Sequence, residues 1–211
     1  MKCSVCGMEY GLSHACSGIP PLQTPEETAP PPSGFAPLYY LRLAFNIVRW
    51  DDMAIRRASR DSNALAYGSV MWALSVIVIF AVSALPALSR RLPPSPAAAT
   101  VAVVIGLVFL LGYMGVIVLI QLGLCHAIAK WFFGATGTFL GVLRPLLLAW
   151  FVNCLILIPV LGMLAAGIAW TAVLMMVFEE VDGIGRLQAF GISAGINICF
   201  ALLQLALPQP H

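Results

Sequence analysis

The sequence predicts an all-α integral membrane protein: five transmembrane helices, an interfacial helix ahead of them, and a small N-terminal zinc-binding head. Three observations carry that fold class. Of 211 residues, 61% are hydrophobic and 9% charged, against about 25% charged in soluble domains. So few charges cannot cover a globule in water. The charges are separated by long apolar intervals, and the polar N-terminus holds thiols at metal-ligand spacing.

The head, residues 1–17, contains Cys3, Cys6, His14 and Cys16, three thiols and an imidazole within fourteen residues. Structural zinc takes a closed tetrahedral set of this kind, and Gly7 and Gly11 let the chain turn back on itself. A head this small gains its fold from the metal. An unliganded polar tail and a redox thiol pair are the other readings of the same residues. Cys125, Cys154 and Cys199 lie inside hydrophobic runs and read as small buried apolar residues. No secretory signal is expected, because no apolar stretch follows the opening Met-Lys-Cys-Ser-Val-Cys for over sixty residues. The first hydrophobic segment should then serve as its own insertion signal.

Residues 18–37 hold Pro20, Pro21, Pro25, Pro30, Pro31, Pro32 and Pro37, the composition of an extended linker. Residues 38–62 mix Leu38, Tyr39, Tyr40, Leu41, Phe45, Ile47, Val48, Trp50, Met53 and Ile55 with Arg42, Arg49, Arg56, Arg57 and Arg60. Such a segment suits a helix on the cytoplasmic leaflet, with aromatics at the headgroup boundary and arginines on lipid phosphates. Equally, its apolar face can dock on the transmembrane bundle. Both readings give a helix at the interface.

About 20 apolar residues cross the hydrocarbon core. The 28 uncharged residues between Asp61 and Arg90 supply a first span at 64–88, stopped by Pro86 and by Pro93-Pro94-Ser95-Pro96. A second, at 98–122, can continue as a helix into the interface through Cys125-His126. The glycines of Gly134-Ala-Thr-Gly137 then make a turn. Between Arg144 and Glu179 lie 34 uncharged residues. As one helix they would run roughly 50 Å through a core of about 30 Å. They are expected to fold as a hairpin of spans 140–158 and 161–178, broken at Pro159-Val-Leu-Gly162. A fifth span, 187–207, completes the region 63–207.

The basic residues set the orientation. Lys2, Arg42, Arg49, Arg56, Arg57, Arg60, Lys130, Arg144 and Arg186 share one side, and only Arg90 and Arg91 fall on the other. The N-terminus is therefore expected in the cytoplasm and the C-terminus outside, in a bacterial inner membrane.

Within the spans, Glu179 and Glu180 end the fourth and Arg144 opens the third from the same side, so a structural ion pair across the hairpin is expected. Asn153 and Asn197 are placed to hydrogen-bond between helices, and Gly106, Gly112, Gly115, Gly162 and Gly167 to let helices approach. His126 is either a ligand for a tetrapyrrole or metal, or an interfacial polar residue met by lipid or loop carbonyls. The sequence holds neither a nucleophile–base arrangement nor a phosphate-cradling glycine loop, and enzymatic activity is not expected.

The run LRPLLLAWFVNCLILIPVLGMLAAGIAW followed by FEEVDGIGRLQAF resembles the Yip domain family, the Ypt-interacting five-span membrane proteins. The matching positions are Arg144, Pro159, Gly162, Trp170, Glu180, Gly183, Ile184 and Ala189, and the resemblance extends over roughly residues 60–207. It implies five spans and a cytoplasmic N-terminus. It also implies, for the eukaryotic members, binding of prenylated Rab-type GTPases in vesicle traffic and membrane shaping. The family's Asp-Leu-Tyr-Gly-Pro motif is absent here, so small-GTPase binding is not expected. A zinc head on a proline linker looks like a prokaryotic member.

The function expected is that of a non-enzymatic scaffold or adaptor, organising lipid and either a membrane-protein partner or further copies of itself, with no nucleic acid involved. An accessory subunit of a larger membrane complex, for example in electron transfer, is a rival. A transporter is a second rival, needing a path lined by Gln121, Asn153, Asn197, Glu179 and Glu180.

Overall fold

The structure, a computed structural model, describes residues 32, 34–84 and 95–206. The head, most of the linker, and the segment with Arg90 and Arg91 lie outside the described residues. Every regular element among the described residues is helical: α1 Pro37–Val48, α2 Asp52–Arg60, α3 Asn63–Ile79, α4 Pro96–Phe133, α5 Phe139–Ala149, α6 Gly162–Asp182 and α7 Arg186–Ala206. A π-helical turn, Phe80–Ala84, prolongs α3, and a 3-10 helix, Trp150–Leu157, prolongs α5. Four of these stretches are long and apolar enough to cross a membrane: Asn63–Ser83, Pro96–Phe133, Phe139–Leu157 and Gly162–Asp182. The 21 residues of α7 match α6 in length.

The helices end where local chemistry requires. Residues 38–62, expected as one interfacial helix, form two. Asp51 accepts from the amides of Met53 and Ala54 and so starts α2 afresh. Trp50 takes a left-handed φ of 65° at the break. α4 runs 38 residues, about 57 Å at 1.5 Å per residue, well beyond the expected 98–122. No proline or glycine pair interrupts it before Gly134, which closes it with φ 69° and a hydrogen bond to the Ala129 carbonyl.

Between α5 and α6 the chain reverses at residues 158–161, tied by the Gly162 amide to the Ile158 carbonyl at 2.9 Å. A Cβ at Gly162 would stand 2.5 Å from the Leu155 carbonyl oxygen, so the hairpin closes only around a glycine there. At Gly68, a position outside the expected glycine set, α3 crosses α5 so closely that a Cβ would stand 2.8 Å from Leu147 Cβ. Gly106, Gly112 and Gly167, expected at helix crossings, have open space beside them.

The core gathers around α5 and α6. Leu146, Leu148, Val173, Leu174, Val177 and Phe178 are fully buried there, and the Trp150 and Trp170 rings meet edge to face at 4.7 Å. Cys125 is buried as expected of a small apolar residue, whereas Cys154 is half-buried and Cys199 exposed. The inner face of α1 docks on this core through Tyr40, Leu43, Ala44 and Ile47. Tyr40 stacks on Tyr67 at 4.0 Å and donates its hydroxyl to Asp61 at 2.6 Å. The Tyr67 hydroxyl in turn accepts from the Ala36 amide, so three consecutive elements are stitched by two phenols.

Burial, then the bond to Asp61, pushes the Tyr40 hydroxyl well above its ordinary 10.0. A folded-state value above the unfolded one means stabilisation that is complete below pH 10 and fades as pH rises further, because the unfolded chain ionises first. Tyr40→Phe, which leaves the buried Asp61 carboxylate short of a donor, is expected to cost about 1–3 kcal/mol. In detergent melts the gap between wild type and Tyr40→Phe should hold constant from pH 7 to 9 and narrow above pH 10.

Candidate functional site

The polar side chains collect at two levels. The first is the end of the bundle where α2, the start of α5, the close of α6, the start of α7 and the tail of α4 converge. Glu180, 13% exposed, accepts from Arg56 Nε at 2.7 Å, tying α6 to α2. Glu179 accepts from Arg186 Nε at 2.8 Å across the Gly183-Ile-Gly185 turn. The expected Arg144–Glu179 or Arg144–Glu180 pair is not what forms. Arg144 donates Nη1–H to the Ser59 carbonyl at 2.7 Å, and its buried Nε finds no acceptor. The physical reason is that α2 lies over the start of α5. It offers Arg144 the free carbonyl of a helix C-terminus, where a cation is favoured, and it brings Arg56 to Glu180 first.

His126, on the tail of α4, meets Asp182 with Nδ1 3.1 Å from Oδ2, and the Asp182 side chain is fully buried. The Asp182 backbone carbonyl accepts from the Thr136 amide at 3.1 Å. A Cβ on Gly137 would collide with the Asp182 carboxyl. The acid is thus packed beneath the 134–138 turn and holds α4, that turn and α6 together. One imidazole nitrogen being taken by a carboxylate, His126 is a helix tie. The sequence offered it as a tetrapyrrole or metal ligand or as an interfacial residue met by lipid or loop carbonyls, and a carboxylate was not among the expected partners. The available signal was that His126 and Asp182 fall at the same membrane end.

The second level is inside the apolar layer. Gln121 Nε2 donates to Asn197 Oδ1 at 2.6 Å, Asn197 Nδ2 donates to Thr171 Oγ1 at 2.8 Å, and Thr171 donates to the Gly167 carbonyl. This chain joins α4, α7 and α6. It backs a groove of about 960 Å³ between α6 and α7, lined by Met163, Ile168 and Phe190 among others. Asn153 takes no part and donates to the Trp150 carbonyl of its own helix. The five side chains of the transporter path are therefore dispersed: two in this chain, one in its own helix, two in ion pairs at the bundle end.

Arg42 is exposed on α1, and Arg49 is exposed at its C-cap. Arg57 and Arg60 lie on the last turn of α2. Among the described residues, no group of three or more His, Cys, Asp or Glu side chains is placed to hold a metal. Cys3, Cys6, His14 and Cys16 lie outside the described residues.

Fold and site together define an all-helical protein with four helices able to cross a membrane, its polar side chains concentrated in two interhelical clusters. No protein-family model, no curated protein and no solved structure matches the chain.

The geometry predicts which charges are coupled. In a double-mutant cycle of Arg56→Ala with Glu180→Ala, detergent-phase stability should show a coupling of about 0.5–3 kcal/mol, whereas Arg144→Ala with Glu180→Ala should add within about 0.5 kcal/mol. The reverse result would restore the arginine–acid pair across the α5–α6 hairpin.

Proposed function

We propose that this chain is a non-enzymatic membrane scaffold or adaptor of five spans, with α7 as the fifth, resident in a bacterial inner membrane. One observation carries the proposal: the polar side chains are spent on joining helices. Arg56–Glu180, Arg144–Ser59, His126–Asp182 and Gln121–Asn197–Thr171 each tie two or three elements. A bundle fastened in that way is a rigid frame for holding other molecules.

The resemblance to the Yip domain family supports five spans with a cytoplasmic N-terminus, as does the nine-to-two division of basic residues. Under this reading Cys3, Cys6, His14 and Cys16 hold one structural zinc and the head recruits a partner at the end of the proline linker. Small-GTPase binding forms no part of the proposal, since the family's Asp-Leu-Tyr-Gly-Pro motif is missing. A specific observation also favours an accessory-subunit role. α4 exposes Val101, Val104, Ile105, Val108 and Phe109 along its outer length, a rail for a helix of another subunit or a second copy.

Two measurements test the proposal. Membrane-impermeant thiol reagents on intact cells should label a cysteine placed at Gln209 and spare one placed at Ser17. Equal labelling would remove the odd number of spans. Purification in mild detergent should retain a stoichiometric protein partner, and Cys3→Ser with Cys6→Ser should release it along with one zinc per chain. A chain that purifies alone and zinc-free under reducing conditions would overturn the adaptor reading.

A further inference from the structure

α1 carries a second face that the bundle leaves largely exposed, touching it only through Phe45. Its inner face, Tyr40, Leu43, Ala44 and Ile47, is buried. On the opposite side Leu38, Arg42, Phe45 and Arg49 recur at intervals of four, three and four residues, which is one stripe of an α-helix. Phe35, just ahead of the helix and 6.2 Å from the Tyr67 ring, is exposed as well, and Leu41 flanks the stripe. Phe35 is 88% exposed, Leu38 79% and Phe45 48%, and Arg42 and Arg49 are both exposed. A soluble helix would keep one apolar face. This one has two, and the outer one includes two cations.

Its depth is fixed by contacts. The Phe45 ring packs at 5.0 Å on Phe151, which lies about 10 Å further along its span than Arg144. At its other end α1 meets Tyr67 and Asp61, at the start of α3. The helix therefore lies alongside the upper part of the spans, at the level where headgroups give way to acyl chains. From Phe35 to Trp50 the sequence holds no acid. Asp51, next along, is committed to capping α2.

We propose that the outer stripe of α1 is a binding surface for anionic phospholipid, with Arg42 and Arg49 on the phosphates and Phe35, Leu38 and Phe45 among the acyl chains. The two arginines stand seven residues apart, about 10 Å along one face, so they reach neighbouring headgroups and not a single ion. Their long stems let the guanidinium rise to the phosphate layer while the apolar neighbours stay below. Arg56 is excluded from the surface because Glu180 holds it. The inference rests on the membrane reading of the fold and is independent of the scaffold role, so either can fail alone.

The test uses the full chain in mild detergent, titrated with phosphatidylglycerol or with phosphatidylcholine of the same acyl chains, bound lipid being counted by native mass spectrometry. Phosphatidylglycerol should bind more tightly, and Arg42→Gln and Arg49→Gln should each weaken it about fivefold while leaving phosphatidylcholine unchanged. Lys130→Gln, which removes the same charge from an exposed site off the stripe, should retain the preference. Three results would overturn the proposal. One is a preference untouched by Arg42→Gln with Arg49→Gln. Another is an equal loss in Lys130→Gln, which would make the effect one of bulk charge. The third is displacement of the lipid by an equal concentration of glycerol phosphate, which would mean an ion site without a lipid surface.

Discussion

A polar group in hydrocarbon has no water to turn to, and that constraint accounts for the polar contacts that join this chain's helices. Gln121, Asn197 and Thr171 come from three different helices, yet they meet in one hydrogen-bonded chain. Any other arrangement would leave an amide facing lipid. Asp182 is fully buried and has His126 against it. Were the imidazole removed, the carboxylate would remain with no donor of comparable strength, the costly half of a broken buried pair. The helix packing depends on these contacts, because apolar faces alone gain little from each other when lipid is equally apolar.

The same constraint explains the charged end of the bundle. Arg144, in the second turn of α5, is satisfied there in part, its Nε staying unpaired. α2 supplies a helix-terminal carbonyl, from Ser59, at 2.7 Å. α2 is in turn fixed by Arg56 on Glu180 and started by the Asp51 cap. α1, linked to α3 through Tyr40 and Tyr67, completes a collar around the ends of α3 and α5. The collar is built from residues ahead of the first span, so this segment is part of the fold and not a tether to it. The outer stripe of α1 stays on the exposed side of that collar.

Among the described residues, long apolar exposures run along the outer length of α4, along α3 through Val70, Leu74 and Val78, and in the groove between α6 and α7. The transporter path required Asn153, Glu179 and Glu180 to line up with Gln121 and Asn197, and the helices carry them to different levels and different partners.

Composition and charge spacing by themselves determined that the chain is helical and apolar enough for a membrane. Uncharged stretches of span length can satisfy their backbone only as helices. The hairpin break was legible too: Pro159 and Gly162 interrupt an interval too long for one crossing, and the chain turns at residues 158–161. The length of α4 was legible in part: continuation through Cys125-His126 and a turn at Gly134 were expected, and the helix closes at Gly134, so that only its unbroken run up to that glycine was left to the structure. The partners of Arg144, Glu179, Glu180 and His126 were decided by the tertiary structure alone. Sequence spacing puts several arginines and acids at one end of the bundle, but which pairs meet depends on how α2 lies over α5, and a guanidinium can donate to a helix-terminal carbonyl in place of a carboxylate. For the same reason Gly68, and not Gly106 or Gly112, marks the close crossing. A glycine in a span is only permission to approach, and the neighbouring helix decides whether the approach is made.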